Sequence, residues 1–129
     1  LDLGAPTLAQ ATLAELIDGG ALDRHVRRTR AEYRRRCRAL HDELAQHLPE
    51  AQPTGVPAGL HVALELPDGT DESRVVEVAR AAGFVAQPLS RYRLGPGPPG
   101  VVLGFAHLTP TAIRGACRSL GRQLGALTR

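Results

Sequence analysis

Eight of the sixteen basic residues in the 129-residue chain fall in one stretch, Arg24–Arg38, and all sixteen are arginine. A cluster this dense could bind phosphates, because each neutralised phosphate releases counterions and adds affinity. It reads equally as the solvated face of a helix. Asp23 with Arg27, Glu32 with Arg36, and Arg38 with Asp42 are each spaced for one helical turn, where opposite charges support a helix. None of the arginines lies on the apolar stripe Leu22, Val26, Thr29, Tyr33, Cys37, Leu40, Leu44, Leu48, which follows helical spacing throughout. No aromatic side chains are interleaved for base stacking, and no zinc-finger or helix-turn-helix signature accompanies the cluster. The surface-face reading is the stronger one, with a basic nucleic-acid-binding module as the alternative.

Other residues with chemical potential are scattered. Cys37 and His41 could share a helix face, but two ligands without a second cluster do not make a metal site, and none is expected. His61 and His107 have no serine or aspartate partner in sequence from which a triad could be argued, and no catalytic residue is assigned. The glycine–proline run at 95–100 lacks the order of a phosphate loop, and its prolines remove the N–H donors such a loop needs. The segment Gln87–Arg93 is richer. Ser90, Arg91, Tyr92 and Arg93 bring a hydroxyl, two guanidiniums and a phenol between two strands, where a scaffold commonly carries binding groups. An ordinary exposed loop is the plainer reading of it. The absence of lysine excludes a side-chain amine that could form a Schiff base with a carbonyl or with pyridoxal phosphate (PLP).

The elements that must position these residues follow from local signals. Pro6 and the Thr7–Gln10 pair have the form of a capping box opening a helix, which Gly19-Gly20 ends. A second helix runs from about Leu22 to Leu48, closed by Pro49 and Pro53. Leu60–Leu66 alternates as a half-buried strand does. Asp71 caps a third helix that stops at Gly83. A short strand near Phe84–Ala86, a loop from Gln87 to Gly100, and an apolar strand Val101–Ala106 follow. Thr109-Pro110 opens the last helix, with the stripe Ile113, Ala116, Cys117, Leu120, Leu124, Leu127. The fold class is α+β: a small mixed or antiparallel sheet with helices packed mostly on one side, preceded by a long connecting helix.

Composition bounds the rest. With 43% hydrophobic residues the chain can bury a core, and its length suits one compact unit. Within that unit, residues 1–48 read as a two-helix connector and residues 49–129 as a small α+β subdomain. No apolar run is long enough to span a membrane, and the N-terminus is not a signal peptide. Two cysteines do not make a disulfide framework, so a reduced, cytoplasmic protein is expected. The chain starts at Leu1 and contains no methionine, which suggests a piece of a longer protein.

Taken in order, the runs LAQATLAELIDGGALDRHVRRTRAEYRRRCRAL, AGLHVALEL, PLSRYRLG and GVVLGFAHLTPTAIRGACRSLGRQL resemble the C-terminal part of MocR-type regulators of the GntR family. The pattern is carried by Gln10, Gly20, His25, Arg30, Tyr33 and Arg35-Arg36, then by Gly59-Leu60-His61 and Pro88-Leu89-Ser90. In that family an N-terminal winged helix-turn-helix is fused to a domain like a fold type I, PLP-dependent aminotransferase. The resemblance implies that this chain is the C-terminal end of the aminotransferase-like domain, with the PLP-binding lysine and the DNA-binding module upstream. It implies PLP for the full-length protein and none bound by this piece. It also implies partnership with the remainder of its own domain, a homodimer, and DNA contact only through the absent N-terminal domain. By similarity Gly59, His61, Ser90, Arg91 and Tyr92 face the effector or substrate cleft. Many relatives place a carboxylate-holding arginine where this chain has Val102, with Arg91 or Arg93 as possible substitutes. The C-terminal domain of a genuine aminotransferase is the alternative.

Overall fold

A computed structural model of the chain describes residues 6–54 and 59–127, with side chains as far as residue 125. The chain divides into two units, Leu1–Glu32 and Tyr33–Arg129.

The first unit holds helix α1 (Thr7–Asp18) and the beginning of helix α2 (Ala21–His47). The capping box does not form. Pro6 occupies the N-cap without any side-chain hydrogen bond, and Thr7 is already helical. A proline's fixed φ suits the residue that leads into a first turn, so the hydroxyl is not needed there. The stop at the glycine pair does form: Gly20 takes φ +68° and its N–H donates to the Ile17 carbonyl. No residue from 6 to 32 is buried, and Leu8, Leu13, Leu16 and Ile17 are all exposed.

The second unit continues α2 and adds β1 (Gln52–Thr54), β2 (His61–Glu65), α3 (Glu72–Ala81), β3 (Val85–Pro88), a 3-10 turn (Leu89–Tyr92), β4 (Gly100–Gly104) and α4 (Pro110–Leu127). The sheet order is β1-β2-β4-β3, and every pairing is antiparallel. Two elements differ from the sequence reading. β1 is a three-residue edge strand built around Pro53, and an edge is where a strand tolerates a residue without an N–H. The expected loop from Gln87 is ordered at its start, as the end of β3 and the 3-10 turn.

Local signals set the helix ends in this unit. The Asp71 carboxylate accepts from the Ser73 and Arg74 N–H groups at the start of α3, satisfying donors that otherwise have no partner. At its far end Gly83 adopts φ +105°, its N–H donates to Arg80, and Phe84 N–H reaches back to Ala79. This is the paired bonding of a Schellman stop. Thr109 caps α4 through its hydroxyl, which accepts from Ala112.

One face of the sheet carries the core. Val62, Leu64, Val101 and Leu103 pack in a single cluster with Leu40 and Leu44 of α2, Val75 and Val78 of α3, and Ile113 and Leu120 of α4. The helices thus cover one face, since each must bury its apolar stripe somewhere. Tyr33, expected in this core, is only partly buried, whereas Cys37 is buried as expected. The side chain of Leu127 lies outside the described residues.

Candidate functional site

The other face of the sheet carries one of the candidate cleft residues, His61. Strand alternation turns His61, Ala63 and Glu65 of β2 away from the core, along with Gly100, Val102 and Gly104 of β4. The pairing register sets these into cross-strand rows. His61 stands opposite Gly104, which in turn pairs with Val85; Ala63 stands opposite Val102, which pairs with Gln87. Gly104 is hemmed in on this face, since a Cβ there would lie 3.1 Å from the His61 ring and 3.2 Å from Val85. Gly59, by contrast, is uncrowded among the described residues: a Cβ would meet nothing of theirs nearer than 3.7 Å.

The 3-10 turn carrying Ser90, Arg91 and Tyr92 is strapped at the opposite end of the strands. The Glu72 carboxylate, in the first turn of α3, accepts from the Ser90 hydroxyl at 2.5 Å, the Ser90 N–H at 3.3 Å and the Gly100 N–H at 2.6 Å. A second strap joins Arg93 to Glu65 at 3.1 Å and to the Pro98 carbonyl. Ser90, though exposed, is therefore engaged by Glu72, while Arg91 and Tyr92 project from the turn, Tyr92 at 61% exposure. The structure brings Ser90, Arg91 and Tyr92 together and keeps His61 with Gly59. The two groups are separated by the length of β2, about 13 Å for five residues.

The sequence offers no site signal at Glu72 or Glu65. Glu72 carries a helix-start signal only, since an acid in a first turn favours the helix dipole; its partners lie 18 and 28 residues away. Arg36 was expected on a solvated face. It instead donates to the Ala106 carbonyl beyond β4 and stacks over Tyr33 with 5.7 Å to the ring centroid, a cation–π distance. Arg34 and Arg38 are exposed as expected, and Arg27 pairs with Asp23 at 3.9 Å where both are well solvated.

Neither cysteine is a poised nucleophile. Burial pushes the Cys37 thiol up, and burial with the nearby Glu43 carboxylate pushes Cys117 up to about 12. Both thiols are thereby held protonated, and a thiol attacks only as the thiolate. Among the described residues no group of three His, Cys, Asp or Glu is placed to hold a metal ion. Two surface cavities, of about 540 and 650 Å³, include none of the candidate cleft residues in their walls. There is no lysine in the sequence, and among the described residues no polar or charged side chain is buried.

Known proteins give this geometry a context. No family model matches the chain. An uncharacterised HTH-type transcriptional regulator of Bacillus subtilis, YdeL, is 31% identical over 117 residues, covering 87% of this chain and 25% of its own length. The chain thus spans about a quarter of the curated relative it matches. Among solved structures, the α-aminoadipate aminotransferase LysN of Thermus thermophilus, complexed with N-(5'-phosphopyridoxyl)-L-leucine, superposes with a TM-score of 0.80 at 29% identity. That match covers 98% of this chain and 33% of LysN. An archaeal alanine:glyoxylate aminotransferase gives 0.78 at 23% identity over 98% of this chain and 32% of its own. A multiple-substrate aminotransferase of Thermococcus profundus gives 0.74 at 23% over 88% and 29%. The last two speak to fold alone. Among the described residues no helix is long and apolar enough to cross a membrane. The chain is therefore an aminotransferase-like segment, and its match to a helix-turn-helix regulator is consistent with the MocR-type pattern read from its motifs.

Proposed function

We propose that the chain is the effector-sensing, dimerising portion of a cytoplasmic MocR-type regulator of the GntR family, whose full-length form works with PLP, and that it is not catalytic alone. In this reading residues 1–48 connect to the rest of the aminotransferase-like domain and residues 49–129 form its small subdomain. DNA contact falls to a winged helix-turn-helix elsewhere in the protein. Gly59, His61, Ser90, Arg91 and Tyr92 are the cleft residues contributed from here.

One observation carries the reading furthest. Val102 occupies the middle of the open sheet face, flanked across the strands by Ala63 and Gln87. By resemblance this is where many aminotransferases keep the arginine that grips a substrate carboxylate, and the row holds no cation. A two-pronged guanidinium contact is hard to replace. Its loss suits a sensor better than a transaminase, and the 31% identity to a regulator supports the same side. PLP, when bound in the full-length protein, would supply the electrophilic carbonyl chemistry of the family.

The test is direct. The full-length protein is expected to show a winged helix and a lysine-bearing large domain upstream of Leu1. Its affinity for promoter DNA should change on adding PLP with amino acids, without turnover of an amino donor. Steady transamination with no winged helix would replace this reading by an authentic aminotransferase, which the likeness to LysN favours. A nucleic-acid-binding role for the arginine helix is disfavoured by the burial of Cys37, Leu40 and Leu44 on its opposite side. Salt-titrated DNA binding by this chain alone would revive it, since phosphate contacts are strongest at low salt.

A further inference from the structure

We infer that the second unit holds a further ligand site, built from none of the candidate cleft residues, which takes a small organic cation with an apolar body. The inference does not depend on the regulator reading above. The site is the cavity of about 650 Å³ at the C-terminal end of α2, lined wholly by residues of the second unit. Its volume falls within the range of small-molecule sites, about 300–1,000 Å³. The floor is aliphatic: Leu48, Ala51, Leu66 and Val75 are buried, and Leu124 of α4 packs partly buried beside them. Helix α4 sets the width. Gly121 lets it close on α2, since a Cβ there would lie 2.5 Å from the His47 carbonyl. Gly125, one turn on, also lines the cavity, yet a Cβ there would meet none of the described residues within 4 Å. The helix thus leaves open a space that a side chain at 125 would fill.

The rim sets the charge of the occupant. Glu50 and Asp68 line the cavity, both are exposed, and neither makes a hydrogen bond or ion pair among the described residues. Asp71 adds a third carboxylate, of which Oδ1 alone is used to cap α3. The cationic groups of the wall are already engaged. Arg74 is held by Glu77 at 3.0 Å, and the His47 imidazole lies 3.4 Å from the Glu43 carboxylate. The surrounding sequence has the same bias: between Arg38 and Arg74 stand seven acidic residues and no arginine, in a chain of formal net charge +3. An apolar floor beneath uncommitted carboxylates favours a ligand that combines an apolar body with a positive charge, and it repels carboxylates and phosphates.

The experiment uses the full-length protein, read by calorimetry. The probe is N,N-dimethyl-2-phenylethylamine, a tertiary ammonium that keeps one N–H for a carboxylate and cannot condense with PLP. The controls are 3-phenylpropanoate, with a like apolar body and the opposite charge, and trimethylammonium, with the charge and no such body. The amine should bind about tenfold or more tightly than either control, and more weakly as salt rises. Glu50→Gln and Asp68→Asn should each weaken it about threefold, as exposed charge pairs do, and about tenfold together. Gly125→Leu should fill the groove and weaken binding about tenfold or more. Its urea midpoint should be unchanged or raised, since leucine is the better helix former. Equal affinity for 3-phenylpropanoate, or an amine affinity untouched by all three substitutions, overturns the site. So does failure of the full-length protein to bind the amine, because the rest of the polypeptide then covers the groove. Binding of an arginine-rich amphipathic peptide without binding of the amine overturns it too, and makes the groove a protein-docking surface. The effect of PLP on DNA affinity tests the regulator reading separately.

Discussion

Helix α2 passes through two regions that obey the same sequence rule with different results. Its apolar stripe runs unbroken from Leu22 to Leu44. In the first unit Leu22, Val26 and Thr29 are only half-buried, and α1 presents Leu13, Leu16 and Ile17 to solvent. In the second unit Cys37, Leu40 and Leu44 sit in a core shared with a sheet and two further helices. An amphipathic pattern thus states which side of a helix wants to be covered. Coverage itself needs a partner surface, and within residues 33–129 a four-stranded sheet supplies one. Within that second unit a further contrast holds: one sheet face is packed with Val, Leu and Phe, and the other carries the open row through Val102.

The contrast can be broken or sharpened by experiment. The largest effect is expected at Leu40, which is fully buried. Leu40→Ala should cost about 2–5 kcal/mol in urea unfolding, from lost transfer energy and a residual cavity. Next comes Gly100→Ala on the open face. With the Leu64 carbonyl 2.5 Å from the new Cβ, overpacking should cost about 1–3 kcal/mol, whereas Gly115→Ala, with open space around it, should stabilise α4 or leave it unchanged.

The third prediction concerns pH. Cys117 ionises near 12 in the fold against an ordinary 9.0. The unfolded chain therefore binds fewer protons than the native one between those values. Its contribution to stability is full below pH 9 and is lost as pH rises from there towards 12, by about 1.4 kcal/mol per pH unit. Cys117→Ala should flatten that alkaline slope, and a flat slope in the wild type would show the thiol to be more accessible than its burial implies. Smaller still, Asp71→Ala should cost about 1 kcal/mol through the lost cap of α3. The smallest effect is expected in the first unit. Leu16→Ala should change the stability of this chain by less than about 0.5 kcal/mol. A loss as large as that of Leu40→Ala would show that α1 is packed after all, and the contrast between the units would fall.

Much of this arrangement was legible beforehand, for identifiable reasons. The Asp71 cap, the Gly83 stop and the opening of α4 at Thr109-Pro110 are decided within a few residues, so the chain states them locally. The faces of β2 and β4 follow from alternation. The capping box at Thr7 misled because Pro6 already met the need. The edge strand at Gln52–Thr54 was invisible because three residues, one of them proline, carry no alternation; only pairing with Glu65, Leu64 and Ala63 makes them a strand. The cleft was half legible. Ser90, Arg91 and Tyr92 drew notice by residue type, but their distance from His61 and the engagement of Ser90 by Glu72 did not.

By itself the sequence determined the ends of α3, the opening of α4, the buried faces of β2 and β4, and the lack of any lysine. These are properties of composition or of spacing within one or two turns. Tertiary structure alone decided which arginine is occupied and which is free. Arg36 reaches a carbonyl 70 residues onward and Arg93 a carboxylate 28 residues back, while Arg91 is left exposed. Guanidinium groups are chemically identical along the chain. What distinguishes them is the acceptor that strand order brings within reach, and strand order is a product of the whole core.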